Sequence, residues 1–120
     1  MLLRTRPVAS GPHFLVHARP AAEAGDVRGR LIVTAPKRVL RGAVERNAMR
    51  RVVREAWRAA GLNGRPVVAL VRVRAAIDVS DTPGAGLPRR KRLAREELDR
   101  LFAVARSALD RQGRAQGRAR

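Results

Sequence analysis

A chain of 120 residues favours one compact domain, and its 27 Lys and Arg against 10 Asp and Glu leave a net charge of +17. Self-repulsion of that size destabilises a lone compact state, so the first expectation is a polyanionic partner. Cysteine is absent, which excludes a disulfide framework, zinc held by thiolates and thiol chemistry.

Residues 1–12 read as an irregular arm, because Pro7, Gly11 and Pro12 break any regular element. The acid-free, Arg-bearing stretch 1–22 faintly resembles a transit peptide, but its prolines interrupt any amphipathic helix and no signal-peptide core follows the start. His13 to Ala18 alternates and predicts a strand over 13–18. Phe14, Val16 and Ala18 share one face, and His13, Leu15 and His17 the other. Alternation leaves open whether Phe14 or His17 turns inward. Phe14 is favoured as core, since Phe14, Trp57 and Phe102 are the only aromatic residues. Pro20, Gly25, Asp26 and Gly29 mark a loop, and 30–35 predicts a second strand closed by Pro36.

Lys37 to Arg41 is a basic connector, followed by a helix predicted over 43–60 and stopped by Gly61. Asn63, Gly64 and Pro66 form a turn before a third strand over 67–74. Its apolar start, Val67 to Val71, suits a buried central strand and is far short of the ~20 residues of a membrane span. Residues 78–92 read as a loop ending in Arg89, Arg90, Lys91 and Arg92. Leu98, Leu101, Phe102, Ala105, Ala108 and Leu109 then predict a helix over 95–111, with Glu96, Glu97 and Asp99 in its first turns to suit the macrodipole. The tail 112–120 reads as disordered and basic. The expected organisation is thus an arm (1–12), one domain (13–111) and a tail, in an α+β fold with a small sheet backed by two helices.

The helix over 43–60 carries the clearest signal. On a wheel of ~100° per residue, Arg46, Arg50, Arg54, Asn47, Arg58 and Arg51 fill one arc of ~140°. Met49, Val52, Val53 and the alanines fill the opposite arc, with Trp57 at the seam. A solvated helix interleaves acids with its bases, whereas here only Glu55 lies near the basic arc. Like charges on adjacent turns repel, so a phosphate-bearing partner is expected to offset them. Nearly all of the bases are Arg, whose fork grips phosphate in bidentate fashion.

The linear pattern is Pro36-Lys37-Arg38, then Gly42-Ala43-Val44, Arg46-Asn47, Arg50-Arg51 and Arg54-Glu55-Ala56-Trp57-Arg58. It resembles the signature helix of the protein subunit of bacterial ribonuclease P, and the likeness extends in pattern over roughly residues 13–110. Position 48, often Arg in that family, is Ala48, and the family's usual opening helix with cleft-lining Phe residues has no counterpart in 1–12. The resemblance implies a ribosomal-protein-like two-layer sandwich with a left-handed βαβ crossover. It also implies an accessory subunit of a ribonucleoprotein endonuclease that removes the 5′ leader of precursor tRNA. Catalysis would reside in the RNA subunit, with Mg²⁺ held mainly by that RNA. The expected partners are the catalytic RNA and precursor tRNA, with no membrane, no obligate protein partner and a cytoplasmic location. The expected RNA contacts are Lys37, Arg38, Arg46, Asn47, Arg50, Arg51, Arg54 and Arg58. A groove for the single-stranded leader would use Arg72 with His17, or Phe14 as the alternative ring.

Nothing else in the sequence competes. His13 and His17 lack a third metal ligand nearby and read as surface or RNA-facing. Asp78 and Asp81 lie in a Pro/Gly loop where turn-forming Asp is ordinary. There is no Gly-rich phosphate loop and no protein-borne catalytic constellation. The alternatives are a ribosomal protein gripping folded rRNA and a DNA-reading helix, the latter disfavoured by the strands that flank the basic segment.

Overall fold

In the computed structural model, the described residues are 6–22, 25, 29–78 and 86–118, with side chains described through 112. Six elements follow in order: β1 (Ala9–Ser10), β2 (Phe14–Pro20), β3 (Arg30–Thr34), α1 (Ala43–Ala59), β4 (Val67–Val73) and α2 (Gly86–Arg118). They form one four-stranded sheet in the order β1-β2-β4-β3. β4 pairs antiparallel with β2, from Phe14 opposite Val73 to Pro20 opposite Val67. It pairs parallel with β3, from Arg30 beside Val68 to Thr34 beside Arg72. The apolar strand is therefore central, as its unbroken Val-Val-Ala-Leu-Val run predicted, and β3-α1-β4 is a βαβ unit.

Register fixes the two faces. Phe14, Val16 and Ala18 join Val67, Ala69, Val71 and Val73 in a core shared with both helices. Phe14 is fully buried, so the favoured reading of the alternation holds. The opposite face carries Leu15, His17 and Arg19 beside Arg72, Leu70 and Val68, then Thr34, Ile32 and Arg30.

α1 and α2 lie on the core face with Trp57 edge-on to Phe102, ring centroids 5.3 Å apart and planes at 81°. Glu45 Oε1 lies 3.9 Å from Arg90 Nε near the start of both helices, and Arg106 Nη1 donates to the Ala60 carbonyl at 3.1 Å near the end of α1. Residues in contact thus differ by about 45 in number along the whole pair, so the helices run parallel and side by side. α1 ends in a Schellman motif: Gly61 N–H donates to Arg58 O at 3.0 Å, Leu62 N–H to Trp57 O at 3.3 Å, and Gly61 adopts φ 74°, which only glycine takes without strain.

Four expectations need correction. The arm is not wholly irregular: Ala9 and Ser10 pair with Val16 and Leu15, because the Gly11-Pro12-His13 turn, closed by Gly11 N–H to Phe14 O at 2.9 Å, folds them back. Residues 1–5 lie outside the described residues. The basic run Arg89–Arg92 is not loop: α2 begins at Gly86, with Pro88 in the first turn where its missing N–H costs nothing. Residues 79–85 of the expected 78–92 loop lie outside the described residues. The helix also continues past 111 to Arg118, since a long helix propagates readily through Arg, Ala and Gln despite Gly113 and Gly117.

The fourth concerns Glu97, which does not sit in the first turn of its helix. It is 3% exposed, and its carboxylate holds the β1–β2 turn. Oε2 accepts the backbone N–H groups of His13 and Phe14, each at 2.9 Å, and Oε1 lies 2.7 Å from His13 Nδ1. His13 is therefore a structural partner of α2 rather than an RNA-facing group. A Cβ at Gly11 would stand 2.7 Å from Glu97 Oε2, so glycine is what lets the carboxylate reach the turn. Glu97→Ala would strand two backbone donors and is expected to cost about 2–4 kcal/mol, to be measured by urea unfolding. A loss below about 1 kcal/mol would show that this anchor is dispensable.

Candidate nucleic-acid interface

The two faces of α1 are as the wheel predicted. Met49, Val52, Val53, Ala56 and Trp57 are buried, and Asn47, Arg51, Arg54 and Arg58 are exposed. Arg46 and Arg50 are half-buried. Trp57 is not at the seam but in the core, drawn in by Phe102. Among the described residues, no carboxylate pairs with Arg50, Arg51, Arg54 or Arg58. Glu45 is directed at Arg90 instead, and Glu55 is exposed with no ion pair among the described residues. The arc is thus a ridge of uncompensated guanidinium groups.

Arg46 differs from its neighbours. Its Nη1 donates to the carbonyls of Leu40, at 2.9 Å, and Arg41, at 2.8 Å. Val39 and Leu40 in turn donate to Pro36 O at 3.0 and 2.9 Å, and Leu40 is buried. Arg46 therefore pins the tight 36–41 turn against the start of α1. That places exposed Lys37 and Arg38 next to the ridge, although no local sequence rule would have linked them. Asn47 Oδ1 accepts a long bond from Arg50 Nη1 at 3.5 Å, which leaves its amide group's donors for a partner.

The second predicted site lies on the sheet face turned away from the helices. His17 and Arg72 share that face, as expected, but His17 is 5% exposed and offers little ring surface for stacking. Phe14 points into the helix-backed core, so its candidacy as a leader contact falls. Sequence reasoning missed Arg19 and Arg30, which lie across Val68 from one another on the same face as Arg72. The period-two alternation, carried two residues past His17 and begun at Arg30, is the signal that would have found them.

Four of the described acids already have partners within the fold. Glu97 is taken by the hairpin turn, Glu45 faces Arg90, Asp99 receives Arg95 Nε at 2.8 Å, and Asp110 receives Arg65 Nη2 at 2.9 Å. Among the described residues no three His, Asp or Glu side chains converge. Asp81 lies outside the described residues. Nor is any helix among the described residues long and apolar enough to cross a membrane.

Fold and site together define a basic α+β domain that displays an array of arginines on one helix. The Ribonuclease P family model matches residues 1–84 of the chain. Ribonuclease P protein components from Bordetella parapertussis and Bordetella bronchiseptica are each 40% identical over 102 residues, spanning 83% of this chain and 79% of theirs. That of Ralstonia pickettii is 39% identical over 102 residues, spanning 83% of this chain and 68% of its own. The solved structure of the Staphylococcus aureus RNase P protein superposes with a TM-score of 0.57 at 18% identity, covering 80% of this chain and 77% of that one, which shows a shared fold. The chain belongs to the ribonuclease P protein family, as a protein component of that enzyme. The ribosomal alternative finds no support among these relatives.

The division of the arginines is testable without any RNA. Arg46→Ala is expected to lower stability by about 1–2 kcal/mol, because it frees the 36–41 turn. Arg54→Ala should leave stability within about 0.5 kcal/mol or raise it slightly by relieving like-charge repulsion. Equal losses in thermal unfolding would contradict the distinction.

Proposed function

We propose that this chain assists a catalytic RNA in removing the 5′ leader of precursor tRNA in the cytoplasm, binding that RNA through the α1 ridge. The observation that carries the reading is the ridge itself: Arg50, Arg51, Arg54 and Arg58, unpaired among the described residues, follow the order and spacing of the family's signature helix. The protein's contribution is electrostatic. Folded RNA must neutralise closely packed phosphates before substrate and catalytic Mg²⁺ can be held, and fixed guanidinium groups do so without the entropy cost of gathering ions. Lys37 and Arg38, held beside the ridge by Arg46, extend it by a turn. The bond-breaking chemistry and its Mg²⁺ belong to the RNA on this reading, and the chain's side chains serve to bind and orient.

The leader lies, in this proposal, across the sheet face that bears Arg72, Arg19 and Arg30. These three cations share the face with exposed Ile32, a composition that suits a single strand held by its backbone with little preference for base. His17 is too buried to serve as a stacking platform.

Reconstitution with a bacterial catalytic RNA tests the central claim. At low Mg²⁺ the protein should raise precursor cleavage, and cleavage by protein free of RNA would overturn the proposal. Each of Arg51, Arg54 and Arg58 replaced by Ala should lower the slope of log affinity against log salt by about one contact's worth, ~0.7 on the single-strand scale. Arg46→Ala should change that slope less. Photocrosslinking from the leader should mark 15–19 or 68–72, and crosslinks confined to α1 would remove the sheet face from the proposal.

A further inference from the structure

The parallel pairing of α1 and α2 leaves a groove where the two helices begin. It encloses about 290 Å³ and is lined by Val44, Asn47, Ala48 and Arg51 of α1 and Leu87 and Lys91 of α2. The α1 residues are spaced i, i+3, i+4, i+7 and so form one stripe, and Leu87 and Lys91 are one turn apart on α2. Its size is close to the lower end, ~300 Å³, of clefts that take a small ligand. Two further observations bear on what enters it. Val44 is 73% exposed, an apolar side chain left at the mouth of a cationic recess. The start of α2 carries Arg89, Arg90, Lys91 and Arg92 with no acid in its first turn, the wrong sign for a helix N-terminus. Arg90 is held by Ile77 O at 3.2 Å and faces Glu45, but Lys91 and Arg51 have no ion pair among the described residues.

We propose that this groove receives one unpaired nucleotide of the catalytic RNA, its base against Val44, Ala48 and Leu87 and its phosphate between Arg51 and Lys91. The inference rests on the reading of α1 as the RNA-facing helix and adds to it a pocket for a single base. A paired backbone lying on a cationic ridge has no use for an apolar recess, whereas an extruded base does. Arg51 can also lay its guanidinium plane on a base, and Asn47 offers both donor and acceptor to a base edge. The occupant is assigned to the catalytic RNA, not to the leader, because the groove is continuous with the ridge through Asn47 and Arg51 and lies on the helix layer.

The absence of cysteine makes the test direct. A photocrosslinker is attached to the full-length Leu87→Cys protein, and a second sample carries it on Arg58→Cys at the far end of the ridge. Each is bound to a bacterial ribonuclease P RNA, with and without precursor tRNA. The expected result is that Leu87→Cys marks one unpaired position, or a few adjacent ones, in the catalytic RNA, unchanged by precursor. Crosslinks only in paired stems, only in the leader, or only to a second copy of the chain would overturn the proposal. So would no crosslink from Leu87→Cys while Arg58→Cys reacts, which leaves the ridge standing. If neither reacts with RNA, both the pocket and the RNA-facing reading of α1 fall. In solution, Val44→Ser combined with Leu87→Ser should weaken binding about 5- to 30-fold with the salt slope unchanged, the loss expected when a base contact is removed. Lys91→Ala should instead lower the slope by about one contact. Undiminished affinity in the double variant, with an unchanged unfolding temperature, would overturn the base-binding role.

Discussion

The direction of α2 relative to α1 organises most of the surface. β3 and β4 are parallel, so the helix between them must run back against them. α2 follows β4 and returns over the same face, so it too runs against β4 and therefore alongside α1. Trp57 and Phe102 set the spacing of the pair at its centre, an edge-to-face contact worth about 0.5–1.5 kcal/mol beyond the area it buries. Because the helices are parallel, their positive ends lie together. Arg89, Arg90, Lys91 and Arg92 add to that end, and Glu45 is the acid directed at it. The free protein thus concentrates unfavourable charge at one corner, and only an anion relieves it.

Where the acids go matters as much as where the bases are. With 10 acids against 27 bases, the ridge could have been partly screened. Four of the acids instead serve the fold. Glu97 holds a hairpin, Glu45 faces a neighbouring helix, Asp110 ties Arg65 to α2, and Asp99 pairs along its own helix. Arg46 shows the converse, a base of the signature helix that serves the fold by closing the turn before it. Its position in the linear motif is indistinguishable from that of a phosphate-binding arginine, and only the path of residues 36–41 reveals the difference.

The same contrast explains what could be read from the sequence. Elements with a strong local period were legible: β2, β3, β4 and both faces of α1 follow from alternation or from the wheel. Phe14 was legible as core because aromatic residues are scarce. The rest depended on long-range geometry. β1 is two residues long and exists only because a turn folds it onto β2. The start of α2 was hidden because Pro88 and a run of bases resemble a loop, and its end because glycines resemble a tail. Glu97 looked like a helix-dipole residue until the chain brought residues 13 and 14 within 2.9 Å of it. Arg19 fell in the expected loop after residue 18, and Arg30 at the start of a strand, until pairing with Val68 put both on one face with Arg72.

That pairing has a consequence for how the molecule can work. The ridge belongs to the helix layer, and the Arg19, Arg30 and Arg72 set belongs to the far side of the sheet. Core side chains such as Phe14, Val16 and Val71 lie between. Two strands bound on the two faces would therefore use different cations. A single small domain can hold a folded RNA on one side and a single strand on the other, provided the layers stay rigidly joined. Beyond the shared core, the contact that joins them is Glu97, from α2 to the turn before β2. It lies away from either proposed RNA surface. A change there would act on RNA binding by shifting one cationic face relative to the other, without removing a single positive charge.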